Sequence, residues 1–286
     1  MVVVGDFGEQ TEVDRVGECR YRAALSADWE IWGPMGGYVA AVAARAAGAE
    51  AVHPRPVSFF CHFVGVARFA PVDLAVDVVR RGRSAETLRV SITQEGRQIM
   101  DATVAVAADN DGLEHGFATP PDVPAPQDLP TREELAATLD EDRPSFPFWD
   151  NFDVRPIDWR RDWPPPGPED PVVQQWLRFV PRSTFDDPWV DVGRYLLLCD
   201  LPSWPAAMRH HAWRWEDGQP DWVAPSIDLY VALHQLVPDE PWLLMDGVAP
   251  IAGDGLLAGR SAVWTPDGRL VATGAGQCLF RRLPTS

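Results

Sequence analysis

Thr265-Pro266-Asp267-Gly268-Arg269-Leu270-Val271 stands near the end of the chain, and a second version of it, Thr93-Gln94-Glu95-Gly96-Arg97-Gln98-Ile99, stands in the first half. Each is a polar turn centred on glycine between apolar runs, which is the pattern of a β-hairpin. The two glycines are 172 residues apart (268 − 96). Pro56-Val57-Ser58 and Pro225-Ser226-Ile227 recur at an interval of 169 (225 − 56). Intervals that agree to within a few residues are those of one structural unit present twice, with loops of slightly different length.

Working outward from the hairpins, each half has the same order of elements. In the first, Val39–Gly48 is Ala-rich and nearly all apolar, which predicts a buried helix. Period-two strands follow over 57–64, 72–79, 87–93 and 98–107, with a basic turn at Arg80-Arg81-Gly82-Arg83. The second half has strand-like segments at 152–159 and 174–180, then the run Tyr195-Leu196-Leu197-Leu198-Cys199-Asp200. Further strands follow over 226–234, 242–248, 255–264 and 269–280. Between the halves, Pro120, Pro121, Pro124, Pro126, Pro130, Pro144 and Pro147 punctuate a polar linker with a short helix over 131–139. The expected fold is α+β, with units at 1–108 and 151–286 joined by a linker at 109–150. The two sheets would join edge to edge into one long antiparallel sheet, with two buried helices packed side by side on it.

The 286 residues carry a formal net charge of −17, which argues against nucleic acid and anionic membrane surfaces as partners. A local arginine cluster could still take a phosphate-bearing small molecule. Cys19, Cys61, Cys199 and Cys278 are scattered without metal or disulfide spacing, so they read as free thiols and no metal is expected. The N-terminus has neither a basic segment nor a long apolar core, and no stretch has the roughly 20 apolar residues of a membrane span. These features lead us to expect a soluble cytoplasmic protein.

Asp200 is a carboxylate inside an apolar run, so it must be paired, hydrogen-bonded or shifted in pKa. With Leu201 and Pro202 next, one reading is an N-cap for a following helix. Another is a catalytic acid or base. Gly36-Gly37, at the start of the first helix, either admit a ligand to free backbone N–H groups or permit close packing. An interval of 163 (200 − 37) sets Asp200 opposite these glycines in the repeat. On the last strand, Gln277 lies at the place of Ala105 (277 − 172), beside Gly274, Ala275 and Gly276, small residues that leave space for a ligand or a close backbone approach.

The Gly36-Gly37 helix start, the Asp200-Leu201-Pro202 helix end, Ser226-Ile227-Asp228 and the Asp267–Ala272 hairpin leading to Gln277 resemble the double-hotdog acyl-CoA thioesterases, the type II or TesB-like group. The resemblance implies a tandem hotdog fold and hydrolysis of acyl-CoA to free fatty acid and coenzyme A, with no cofactor. It implies that Asp200, Ser226 and Gln277 hold the attacking water. Ser226 stands where the family has Thr and keeps the hydroxyl. Leu229 and Val57 replace two family histidines, which bears on acyl preference. Backbone N–H groups of Gly36, Gly37 and Tyr38 are natural stabilisers of an oxyanion. Arg80, Arg81 and Arg83 are either coenzyme A phosphate ligands or a solvated turn. Asp228 reads as a strand-end carboxylate. An enoyl-CoA hydratase-like enzyme and a non-catalytic acyl-CoA binder are the alternative functions. The resemblance also leaves room for a homo-oligomer.

Overall fold

The protein, seen as a computed structural model, is described here over residues 5–139, 145–215 and 219–283. Met1–Val4 of the N-terminal reading and residues 140–144 of the linker lie outside these. The first half contains α1 (Phe7–Gln10), β1 (Asp14–Gly17), β2 (Arg20–Ala24), α2 (Gly36–Glu50), β3 (Arg55–Phe63), β4 (Pro71–Arg81), β5 (Ala85–Gln94) and β6 (Arg97–Ala107). The second contains α3 (Arg132–Ala136), β7 (Phe152–Pro156), β8 (Val172–Phe179), α4 (Pro188–Asp200), α5 (Ser203–His211), β9 (Trp222–Val223), β10 (Asp228–Leu233), β11 (Leu243–Gly253), β12 (Leu256–Trp264), β13 (Leu270–Leu279) and β14 (Arg281–Arg282).

Twelve strands form one antiparallel sheet in the order β1-β2-β4-β5-β6-β3-β10-β13-β12-β11-β8-β7. Inward from either edge the strands play matching roles, and the halves meet where β3 pairs with β10, from Ser58↔Ala232 to His62↔Asp228. The duplication is also written in the register. The ladder of β5 with β6 shifts between Ile92 and Thr93, and that of β12 with β13 between Val263 and Trp264, an interval of 171 (263 − 92).

Alternation sends one face of every strand toward the helices. On β5 these residues are Leu88, Val90 and Ile92, and on β6 Ala102, Val104 and Val106, all buried. α2 packs on this face with α4 beside it, and it is buried without a break from Gly37 to Ala44. The two helices cross through glycines in a reciprocal contact. A Cβ added at Gly37 would lie 2.6 Å from Leu197 Cα, and one at Gly193 would lie 3.0 Å from Ala41 Cβ. Gly37 therefore corresponds to Gly193 and Ala41 to Leu197, a helix interval of 156 (193 − 37). This corrects the alignment of Asp200 with Gly37: the counterpart of Asp200 is Ala44.

Asp187 caps α4 by accepting the Trp189 N–H at 2.8 Å, and Pro188 opens its first turn. One turn on, the buried Asp191 carboxylate accepts from Arg194, from the Tyr195 hydroxyl and from the Val237 N–H at 2.9 Å. Arg194 also donates to the carbonyls of Ser183 at 2.8 Å and Glu240 at 2.9 Å. A charge pair with no exposure is tolerable because its lone pairs and protons are nearly all used. The network fixes the helix that carries Asp200 to the loop after β10.

The Pro-rich linker is packed rather than loose. The Trp176 indole donates to the Pro124 carbonyl at 2.9 Å, and Val123 and Leu129 cover Trp176 and Trp264 on the sheet face away from the helices. A capping box of Thr131 with Glu134 starts α3. Replacing Arg194 with Met would leave the Asp191 carboxylate buried without its cation. This is expected to destabilise the fold by about 3–5 kcal/mol in urea denaturation; a loss below about 1 kcal/mol would show that the pair does not anchor α4.

Candidate active site

Asp200 is the last residue of α4. Pro202 then breaks the helix, and α5 begins at Ser203. The break fits onto the sheet through small residues. A Cβ at Gly247 would meet Pro202 Cβ at 2.1 Å, one at Gly259 would meet Ser203 Oγ at 1.9 Å, and one at Gly274 would meet Cys199 Cβ at 2.7 Å. The gap at Gly274 therefore serves a close helix approach.

Asp200 does not cap α5. Its Oδ1 accepts the Ser226 hydroxyl at 2.8 Å, and its side chain lies against the Gly37 backbone at the start of α2. A Cβ at Gly36 would stand 2.6 Å from Asp200 Oδ2, so the glycine pair is what lets the carboxylate reach that helix end. Burial pushes the Asp200 pKa up to about 6, while the bonds from Ser226 and Gly37 pull against it. The Gly37 N–H also points at Met35 Sδ at 3.0 Å, and Phe63 packs over Gly36.

The structure thus brings Asp200, Ser226, Gly36 and Gly37 together, and separates the other expected residues from them. Ser226 bridges to Cys278, whose Sγ lies 3.8 Å from Ser226 Oγ on the helix side of the sheet. Gln277 is the next residue on β13 and pairs with Ala258, so its side chain points to the opposite face. The expectation that Gln277 holds water with Asp200 is therefore corrected by strand alternation. Its N–H donates to Asp228 Oδ1 at 2.9 Å, which gives Asp228 a backbone role where β10 leaves the ladder.

The Tyr38 N–H donates to the Met35 carbonyl at 3.1 Å and its hydroxyl to the Gln10 carbonyl at 2.7 Å, so its N–H is not free for an oxyanion. Arg81 donates to Glu86 and to the Glu50 carbonyl, each at 2.8 Å. Glu50 ends α2 and Gly36 begins it, which places the Arg80, Arg81 and Arg83 turn roughly 20 Å from Asp200 at ~1.5 Å per residue. The sequence reading missed Cys278 and Phe63. Pairing Ser226 with its strand neighbour would have pointed to Cys278, whereas nothing local marks Phe63.

Residues 25–107 match the acyl-CoA thioesterase N-terminal domain, and residues 120–280 match the acyl-CoA thioesterase C-terminal domain. The chain belongs to the acyl-CoA thioesterase family. It is a thioester hydrolase, and the hot dog fold is shared with solved structures over almost its whole length. Acyl-CoA thioesterase II TesB2 from Mycobacterium marinum is similar at 24% identity and a TM-score of 0.76, covering 97% of this chain and 99% of that one. A hot dog protein of unknown function from Alicyclobacillus acidocaldarius has 22% identity and a TM-score of 0.79, covering 98% of each chain. The tesB protein of Mycobacterium avium subs. paratuberculosis has 23% identity and a TM-score of 0.73, covering 97% and 99%. No curated protein matches the chain.

In this thioesterase the symmetry-related place in the first half is filled. Pro56 pairs with Val106 as Ser226 pairs with Cys278, which shifts the interval of 169 by one, so Ala44, Pro56 and Val106 stand at the counterparts of Asp200, Ser226 and Cys278, and all three are buried. Among the described residues no cluster of three or more His, Cys, Asp or Glu could hold a metal ion, and no helix is long and apolar enough to cross a membrane.

The Asp200 pKa has a consequence for stability. It lies above the usual carboxylate value, so the folded state holds this proton more tightly than the unfolded chain does. The contribution is most favourable below about pH 4 and is lost as pH rises through about 6, worth at most about 3 kcal/mol. Asp200→Asn removes that titration. The variant is expected to melt above wild type at pH 8 and to approach it near pH 4; equal melting temperatures at both pH values would refute a raised pKa.

Proposed function

We propose that this acyl-CoA thioesterase hydrolyses its substrate with a water activated by Asp200. The observation that carries the reading is the Asp200 carboxylate, pushed up to a pKa of about 6 while it accepts from Ser226 and lies against the start of α2. A base with that pKa is charged at neutral pH and a stronger acceptor than an ordinary Asp. Ser226 Oγ donates its proton to Asp200, which leaves the hydroxyl lone pairs to accept from the water and aim it. The water oxygen bonds to the thioester carbon and its proton passes to Asp200. The carbonyl oxygen becomes an oxyanion near the start of α2. There the Gly36 N–H has no acceptor of its own within the helix, and the helix dipole favours negative charge. The intermediate then breaks its carbon–sulfur bond, and the coenzyme A thiolate takes the proton back from Asp200. A thiol near pKa ~8.5 is a good leaving group, so Asp200 suffices as acid.

The hydratase-like alternative requires a histidine beside the acid. His53 lies beyond the far end of α2, His62 and His234 lie on the opposite face of the sheet, His115 is exposed in the linker, and His210 and His211 end α5 against the Glu169 carbonyl and the Trp222 ring. A binder without catalysis would not need a basic carboxylate beside a helix N-terminus. We further propose working units of 1–108 and 151–286 and a cytoplasmic location. The four free cysteines support that location, and the net charge of −17 supports an absence of nucleic-acid and membrane partners.

Three substitutions separate the roles. Asp200→Asn is expected to lower kcat on acyl-CoA by about 10² or more, and Ser226→Ala by about tenfold or more. Gln277→Ala is expected to change kcat by less than about threefold, because its side chain faces away. Thiol release measured with a thiol reagent checks all three, and an Asp200→Asn enzyme with full activity would falsify the mechanism. The pH profile of kcat/KM should also lose activity below a limb at about 6, as Asp200 takes up its proton.

A further inference from the structure

The second half holds a cavity of about 340 Å³ that the proposed mechanism does not use. Trp215, Trp222 and Phe280 line it together with Arg214, Arg282 and Asp221, and none of Asp200, Ser226, Gly36 or Gly37 does. Ala207, also in the lining, and Cys278, which touches Ser226, belong to one packed cluster and are 3% and 2% exposed. That cluster closes the cavity off from the acid, so no thioester passes from one to the other. A cavity of this size suits a small organic molecule in its own right.

The lining sets the chemistry of such a molecule. Trp222 stacks on Phe280 with ring centroids 5.8 Å apart and 28° between planes, and Trp215 meets Trp222 edge-on at 6.4 Å. These rings favour a flat aromatic partner. Trp215 is only 6% exposed, yet its indole N–H is buried with no acceptor among the described residues. A buried indole N–H ordinarily has one, as Trp176 has in the Pro124 carbonyl and Trp29 in Gln10. Trp204 and Trp264 share the lack, but neither lines this cavity. Arg214 and Arg282 have no carboxylate partner among the described residues, whereas Arg209 is held by Asp158 and Glu169. Three donors without acceptors in one lining call for a carboxylate. Asp221 is an acceptor in the same lining and calls for a hydroxyl elsewhere on the molecule.

We propose that this cavity is a second binding site, which takes a hydroxylated aromatic carboxylate. The ring lies against Trp222 and Phe280, the carboxylate accepts from the Trp215 indole N–H and from Arg214 and Arg282, and the hydroxyl donates to Asp221. The occupant is not the thioester and does not reach Asp200, so this site is independent of the hydrolysis proposed above.

Isothermal titration with 6-hydroxy-2-naphthoate tests the site. The wild type is expected to bind it with a Kd below about 1 mM, and to bind 2-naphthoate, which lacks the hydroxyl, about threefold or more less tightly. Trp215→Phe keeps a ring but removes the N–H, and is expected to weaken the hydroxylated acid by about fivefold or more. Arg214→Glu/Arg282→Glu is expected to weaken it by about tenfold or more. Arg282 is exposed, so the single Arg282→Glu substitution gives the comparison if those variants do not fold, with a loss of about threefold or more expected. The Asp200→Asn protein is expected to bind the acid as the wild type does, with and without saturating acyl-CoA. An absence of binding, equal affinities for the two acids, an unchanged affinity in Trp215→Phe, or displacement by acyl-CoA would overturn the proposal.

Discussion

The placement of one carboxylate governs this structure. Asp200 sits at the C-terminal end of α4, where the helix dipole opposes negative charge, and it is largely withdrawn from water. Burial there drives its pKa up. The Gly37 N–H at the start of α2 supplies the opposite end of a dipole, and the Ser226 hydroxyl supplies a second donor. Bringing the start of α2 against Asp200 requires the helices to cross with almost no side chain between them. Gly37 lies against Leu197 and Gly193 against Ala41. The crossing, the buried Asp191–Arg194 network that anchors α4 and the glycines of the sheet beneath Pro202 all place the same side chain.

Duplication explains how such an arrangement arises once per chain. The sheet keeps nearly perfect internal symmetry, down to equivalent register shifts in β5 and β12. The helices do not. α2 runs on past Ala44 to Glu50, whereas α4 stops at the matching position and the chain turns through Pro202 into α5. One half offers a helix start with glycines, and the other a helix end with an acid. The symmetry-related place is closed by Ala44, Pro56 and Val106, which have no chemistry to offer.

The fold was legible in the residues because alternation and turn chemistry are local signals, and the repeat doubled them. Asp200 was legible for a related reason, because a carboxylate in a Leu run must have a partner, whereas Ser226 was named only by the family resemblance. Gln277 was misread because a one-residue step in a strand reverses the face, and only the pairing of Ser226 with Cys278 shows which face is which. Tyr38 was misread because its N–H is taken up by a tight turn on Met35. The alignment of Asp200 with Gly37 failed because the helices carry a different interval from the strands, a quantity set by packing.

The asymmetry extends to the outer face of the sheet. Over the second half the linker lays Val123 and Leu129 on Trp176 and Trp264, so large aromatics are covered there. Over the first half the same face carries pairs such as Arg22 with Asp73 and Arg89 with Asp101, which need no cover. A linker committed to one face leaves the helix side of the second half uncovered, and α5 and the Trp-rich segment after it fill that side. That segment brings Trp222 and Arg214 beside the strand leading away from Asp200. The route of the linker and the placing of aromatic and basic groups on the helix side are therefore two consequences of one requirement: each face of an extended sheet must find its own partner.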